Sequence, residues 1–124
     1  MRVYKTKEFS RYARRESIRD AVLYEAACRA ALGSIDANPG GGLIKQWVAR
    51  PGAGRRGGYR TLMAFRAGDL TIYLYGFAKS ERDNIESDEL AFWRKVAGGF
   101  LKLEPSALDA LLKDQDIIEV TENG

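Results

Sequence analysis

Between Leu43 and Ile85 the chain carries three strand-like segments in close succession, and that spacing admits few architectures. The segments are Leu43–Arg50 (LIKQWVAR), Gly58–Arg66 (GYRTLMAFR) and Leu70–Phe77 (LTIYLYGF), each rich in β-branched and aromatic residues. Ala67-Gly68-Asp69 is long enough only for a tight turn, so the second and third segments must form an antiparallel hairpin. Pro51–Gly58 reads as a basic hairpin loop whose four glycines let backbone approach a partner closely. It lacks the Lys-Ser/Thr ending of a nucleotide P-loop, which argues against ATP binding.

Helical patterns flank these strands. Arg2–Lys5 reads as a short edge strand, and Thr6 as the N-cap of a helix carrying Phe9, Tyr12 and Ala13, with Arg11, Arg14 and Arg15 on its polar side. Ser17 with Asp20 resembles a capping box opening a second, alanine-rich helix that Gly33 stops. Asn38–Gly42 has loop composition. After Ile85, Ser87 or Asp88 can cap a helix holding Leu90, Phe92, Trp93, Val96 and Ala97, open to interruption at Gly98-Gly99. Pro105 suits the first turn of another helix with Leu108, Leu111 and Leu112, and Ile117–Val120 suits a short strand. The order is α+β, in a single domain over 1–124 whose 86–124 portion is a helical C-terminal extension. Burial of Phe92, Trp93, Leu108, Leu111 and Leu112 requires that extension to pack on the sheet.

Composition excludes several classes of function. No apolar run approaches the roughly 20 residues of a spanning helix, and Met1-Arg2-Val3-Tyr4-Lys5 opens no signal core, so a soluble cytoplasmic protein with no membrane partner is expected. Histidine is absent and Cys28 is the lone cysteine, which removes intramolecular disulfides, the usual zinc constellations and histidine general-base chemistry. No metal or cofactor is expected. The net charge of +3 hides a split, with 14 Lys/Arg against 5 Asp/Glu in residues 1–66 and 6 against 12 in residues 67–124. A basic face of that kind suits a phosphate-rich partner.

The strands carry that basic face. Alternation puts Lys45 with Trp47 on one side of the first strand and Arg60, Leu62, Ala64 and Arg66 on one side of the second. Helices covering one side of the sheet would leave the other as a partly exposed groove. Arginines on a rigid sheet interleaved with Tyr59, Tyr73, Tyr75 and Trp47 form a pattern for gripping phosphates and stacking bases of single-stranded nucleic acid.

Gly58-Tyr59-Arg60 at a strand start, the Arg-Pro-Gly loop, and Leu74-Tyr75-Gly76-Phe77-Ala78-Lys79-Ser80-Glu81-Arg82-Asp83-Asn84-Ile85 resemble the RelE/ParE toxin superfamily, in particular HigB-like RelE toxins of type II toxin–antitoxin systems. The resemblance spans essentially the whole chain. It implies two N-terminal helices packed on a small, mainly antiparallel sheet of about four strands, to which the residues after Ile85 add the C-terminal helices. It also implies a metal-independent endoribonuclease that cleaves mRNA on the ribosome and thereby inhibits translation, with a cognate helix-turn-helix antitoxin as partner. On this likeness Arg60 would stabilise the phosphorane charge, Lys45 would bind phosphate or serve as base, and Lys79 and Arg82 would anchor phosphate and assist the leaving group. Arg50, Arg55, Arg56, Arg66, Tyr59 and Tyr75 are the expected RNA-binding side chains. Many relatives place a Tyr or His shortly after the last strand, where this chain has Glu86-Ser87-Asp88; Tyr73 or Tyr75 could substitute, and alternation does not fix which side of the strand faces the groove. The alternatives are a ParE-like DNA gyrase poison and a catalytically inactive module that binds nucleic acid or antitoxin.

Overall fold

A computed structural model describes residues 1–50 and 57–124, so Arg55 and Arg56 lie outside the described residues. In chain order the elements are β1 (Arg2–Thr6), α1 (Lys7–Arg15), α2 (Asp20–Ala31), β2 (Ala37–Gly40), β3 (Leu43–Val48), β4 (Tyr59–Arg66), β5 (Leu70–Ala78), α3 (Ser87–Leu101), α4 (Pro105–Lys113) and β6 (Ile117–Glu119). The described strands form one sheet in the order β2-β3-β4-β5-β1-β6. It is mixed, because β1 runs parallel to β5 while the other neighbours are antiparallel.

Six strands replace the expected four or so, for two reasons. Ala37–Gly40, read as loop, pairs irregularly with β3 as a short edge whose Pro39 is tolerated there. The N-terminal strand, expected at an edge, lies between β5 and β6, pairing Tyr4 with both Ile72 and Glu119. Sequence alternation reveals a strand but not its neighbours, which long-range packing decides.

Helix boundaries follow local chemistry. Thr6 caps α1, its Oγ1 accepting the Phe9 N–H at 3.1 Å. Ser17 does not open α2; it closes α1. Its φ is +58°, its N–H donates to the Arg14 carbonyl at 3.2 Å, and Ile18 N–H reaches back to the Ala13 carbonyl at 2.8 Å. That is a Schellman ending with serine in the left-handed position where glycine is usual. Gly33, with φ +95°, ends α2 the same way, Ser34 N–H donating to the Arg29 carbonyl at 2.9 Å. Helix α3 runs unbroken through Gly98-Gly99 to Leu101, with Glu86 rather than Ser87 or Asp88 at its N-cap.

Helices cover both faces. On one side α1 and α2 press Phe9, Ala13, Leu23, Ala26, Ala27 and Ala30 onto Ile44, Val48, Met63 and Tyr73. On the other, α3 and α4 contribute Trp93, Ala97 and Leu108 against Leu43, Leu62, Ile72 and Phe77. The C-terminal extension therefore packs on the sheet, and the groove expected along one whole face survives only where α3 leaves it uncovered.

Strand β5 contains an irregularity that matters for the site. Leu62 pairs with Tyr75 and Met63 with Tyr73, leaving Leu74 without an opposite residue. This bulge puts Leu74 and Tyr75 on the same side, with α3, while Tyr73 stays on the α1–α2 side.

Candidate functional site

The Gly-Tyr-Arg triplet acquires a physical reading once β4 is in place. Gly58 has no room for a side chain, since an added Cβ would run into the Trp47 indole and the Val48 carbonyl. Tyr59 turns into the α1–α2 core, buried, its hydroxyl donating to the Glu16 carbonyl at 3.4 Å. Arg60, one residue on, faces the α3 side with Lys45 and Phe77 as neighbours on the adjoining strands.

Arg60 and Lys45 meet at a cavity of about 300 Å³ that Asp83 and Asn84 close from the loop after β5. Lys45 Nζ donates to Asn84 Oδ1 at 3.0 Å, and the same oxygen accepts the Ile85 N–H at 2.9 Å, which fixes the amide and holds the loop over the sheet. Arg60 Nη1 is covered and has no hydrogen-bond partner among the described residues. A guanidinium stripped of water at one nitrogen, without an ion pair, is poised for an anion. Asp83 is exposed at the same cavity and makes no ion pair or side-chain hydrogen bond among the described residues.

The other expected site residues are spread out. Arg82 is committed inward: it ion-pairs with Glu89, donates to Tyr75 Oη at 3.2 Å and to the Asn84 carbonyl at 2.9 Å, and lies 5.6 Å from the Phe77 ring centroid. The Glu89 hydrogen bond raises its already high pKa, which removes it as a proton donor. Lys79 sits beside the triplet, its backbone N–H donating to the Gly58 carbonyl at 3.4 Å. Arg50 is exposed over the Tyr59 ring, 5.9 Å from its centroid. Arg66 lies at the far end of β4, donating to the Leu101 carbonyl and to Asp69 at 2.8 and 2.7 Å, away from Arg60. There it faces the carbonyl end of α3, where a cation is favoured.

No core tyrosine supplies the missing base. Burial raises the pKa of Tyr59 and, more strongly, of Tyr73, whose hydroxyl donates to the Leu23 carbonyl at 2.7 Å. Tyr75 stands on the α3 side but stacks on Trp93, ring centroids 5.3 Å apart. Pattern reading missed Asp83 and Asn84 as cavity residues. Their signal was position, in a short polar loop directly after the last hairpin strand.

The model of the RelE toxin of RelE/RelB toxin–antitoxin systems matches residues 1–120. The chain belongs to the RelE toxin family. None of the curated proteins matches it. This RelE-family toxin thus presents, on the uncovered corner of its sheet, two cations (Lys45, Arg60), two amides (Gln46, Asn84) and two carboxylates around one cavity, Asp36 already accepting the Trp47 N–H and Asp83 making no ion pair or side-chain hydrogen bond among the described residues. No helix among the described residues is long and apolar enough to cross a membrane.

Proposed function

We propose that this RelE-family protein is a HigB-like, ribosome-dependent mRNA endonuclease that acts in the cytoplasm without a metal ion. The observation carrying the reading is the cavity shared by Arg60, Lys45 and Asp83, with a desolvated, unpartnered guanidinium nitrogen at its wall. Arg60 and Lys45 hold the scissile phosphate and stabilise the charge of the pentacoordinate intermediate. Asp83 takes the proton of the ribose 2′-hydroxyl, the 2′-oxygen attacks phosphorus, and the bond to the 5′-oxygen of the next nucleotide breaks. Lys45 gives its proton to that departing oxygen, leaving a 2′,3′-cyclic phosphate and a 5′-hydroxyl. Lys79, which meets Gly58 at the start of β4, anchors a flanking phosphate, whereas Arg50 lies over Tyr59 on the α1–α2 side, outside the cavity. The partner is a helix-turn-helix antitoxin that covers this corner.

Mapping of mRNA 5′ ends after induction tests the reading. Cuts within translated regions that need ribosomes, falling about 10²-fold or more in Arg60→Ala, are expected for removal of one charge-stabilising donor. Intact mRNA accompanied by DNA damage would instead support the ParE-like gyrase reading.

A further inference from the structure

A second cavity opens on the other side of Phe77. It measures about 480 Å³ and lies between α1 and α3 at the end of β5, with Phe77 forming part of the wall of both cavities. Three features shape it. Gly76 contributes no side chain, an added Cβ there lying 2.9 Å from Tyr12 Cε2 and 3.1 Å from Phe9 Cε2. The β5 bulge turns Tyr75 towards Trp93, and the two stacked rings line the cavity from the α3 side. Tyr12, from α1, supplies a ring across the gap and a covered hydroxyl that no hydrogen bond satisfies.

Both cavities carry two acids and two cations, but the pairing differs: at the Arg60 cavity Asp36 is engaged by the Trp47 N–H, whereas here the engaged group is a cation. Glu8 and Glu81 line it together with Arg15, and neither carboxylate makes an ion pair or side-chain hydrogen bond among the described residues. Arg82, the remaining cation at the wall, is already occupied by Glu89, Tyr75 and Asn84. Two unpaired carboxylates repel a phosphate. They suit a neutral planar group that offers N–H donors, and the aromatic walls suit stacking. Guanine is the nucleobase that presents adjoining N–H donors, at N1 and the exocyclic amine, to a carboxylate, while its carbonyl and N7 accept from a cation such as Arg15.

We propose that the cavity lined by Tyr12, Tyr75, Trp93, Glu8 and Glu81 is a guanine-binding subsite, receiving a base of the RNA whose phosphate sits at Arg60 and Lys45. The proposal rests on the endonuclease reading for its context, but the subsite binds free nucleoside. Division of labour follows from the layout: cations on one side of Phe77 take the backbone, acids and rings on the other take the base.

Isothermal titration of the isolated protein with guanosine, adenosine, cytidine and uridine tests it. Guanosine should bind at least about tenfold more tightly than the other three, the lower end of what one well-matched base contact supplies. Glu8→Gln with Glu81→Gln should bring guanosine to the level of the others, with the folded state checked by circular dichroism. Arg60→Ala should leave guanosine binding in place while removing the extra affinity of guanosine monophosphate. Equal binding of all four nucleosides, or none, overturns the subsite even if the protein cuts mRNA. Selective guanosine binding by a protein that leaves mRNA intact keeps the subsite and discards the endonuclease reading. Should the double variant not fold, Arg15→Ala is the alternative, with at least a threefold loss of guanosine affinity expected and an unchanged affinity counting against the proposal.

Discussion

Tyr73 and Tyr75, two positions apart on one strand, point to opposite faces of the sheet: Tyr73 Oη donates to the Leu23 carbonyl under α2, and Tyr75 stacks on Trp93 of α3. Regular alternation would have placed them together. The single unpaired residue between them, Leu74, separates a tyrosine that holds the core from one that borders the cavities.

Removing the two hydroxyls should therefore have unequal effects. Tyr73→Phe removes a buried hydrogen bond to a carbonyl that keeps its helical partner and is expected to cost about 0.5–1.5 kcal/mol, whereas Tyr75→Phe, losing one part-buried bond to Arg82, should cost less. Urea unfolding of both variants, compared at a common slope, decides it.

Asp83→Asn separates chemistry from binding. As the proton acceptor it should lower single-turnover cleavage about 10²- to 10⁴-fold. RNA affinity should stay level or rise, since a negative charge leaves a cavity that also holds Lys45 and Arg60. A parallel loss of binding and cleavage would make Asp83 a structural residue.

Ser17→Gly should stabilise the protein. Serine holds φ +58° to complete the turn after α1, a conformation that costs an L side chain roughly 1–2 kcal/mol and glycine almost nothing. Part of the gain is lost to the looser unfolded chain, leaving about 1 kcal/mol or less, read as a rise in thermal midpoint.

Asp69 is an acid-side sensor. Hydrogen bonds from Arg2 and Arg66, at 2.8 and 2.7 Å, hold its pKa below the ordinary carboxylate value. A depressed folded-state pKa contributes stability above the unfolded value, and that contribution disappears as pH falls through the folded one. Carboxyl NMR titration should show Asp69 titrating below the ordinary aspartate range, moving upward in Arg66→Ala and in high salt.

Local chemistry made much of this molecule legible in its residues: Thr6 as a cap, Gly33 as a stop, Pro105 as a helix start, and the β4–β5 hairpin from the Gly68 turn. What stayed hidden depends on distant partners. Nothing in Arg2–Thr6 says that it will lie between β5 and β6, and an inserted Leu74 looks like any other strand residue. Ser17-Ile18-Arg19-Asp20 matches a start signal in composition while the backbone uses Ser17 and Ile18 as an ending. In the site, Arg60 and Lys45 are singled out by the family resemblance, alternation only assigning each a face of its own strand, and Asp83 joins their cavity from a loop whose Asn84 bonds Lys45. Arg82, prominent as a motif residue, is spent on Glu89.

The interior position of β1 sets an order on folding. Residue 4 needs Ile72 on one side and Glu119 on the other, partners 68 and 115 residues away along the chain. Pairings that distant in sequence form late and slowly. The Arg60 corner is built from residues 36 to 85 and needs neither β1 nor β6, so the phosphate-gripping cavity can assemble on short-range hairpins before the long-range pairing of β1 completes the sheet.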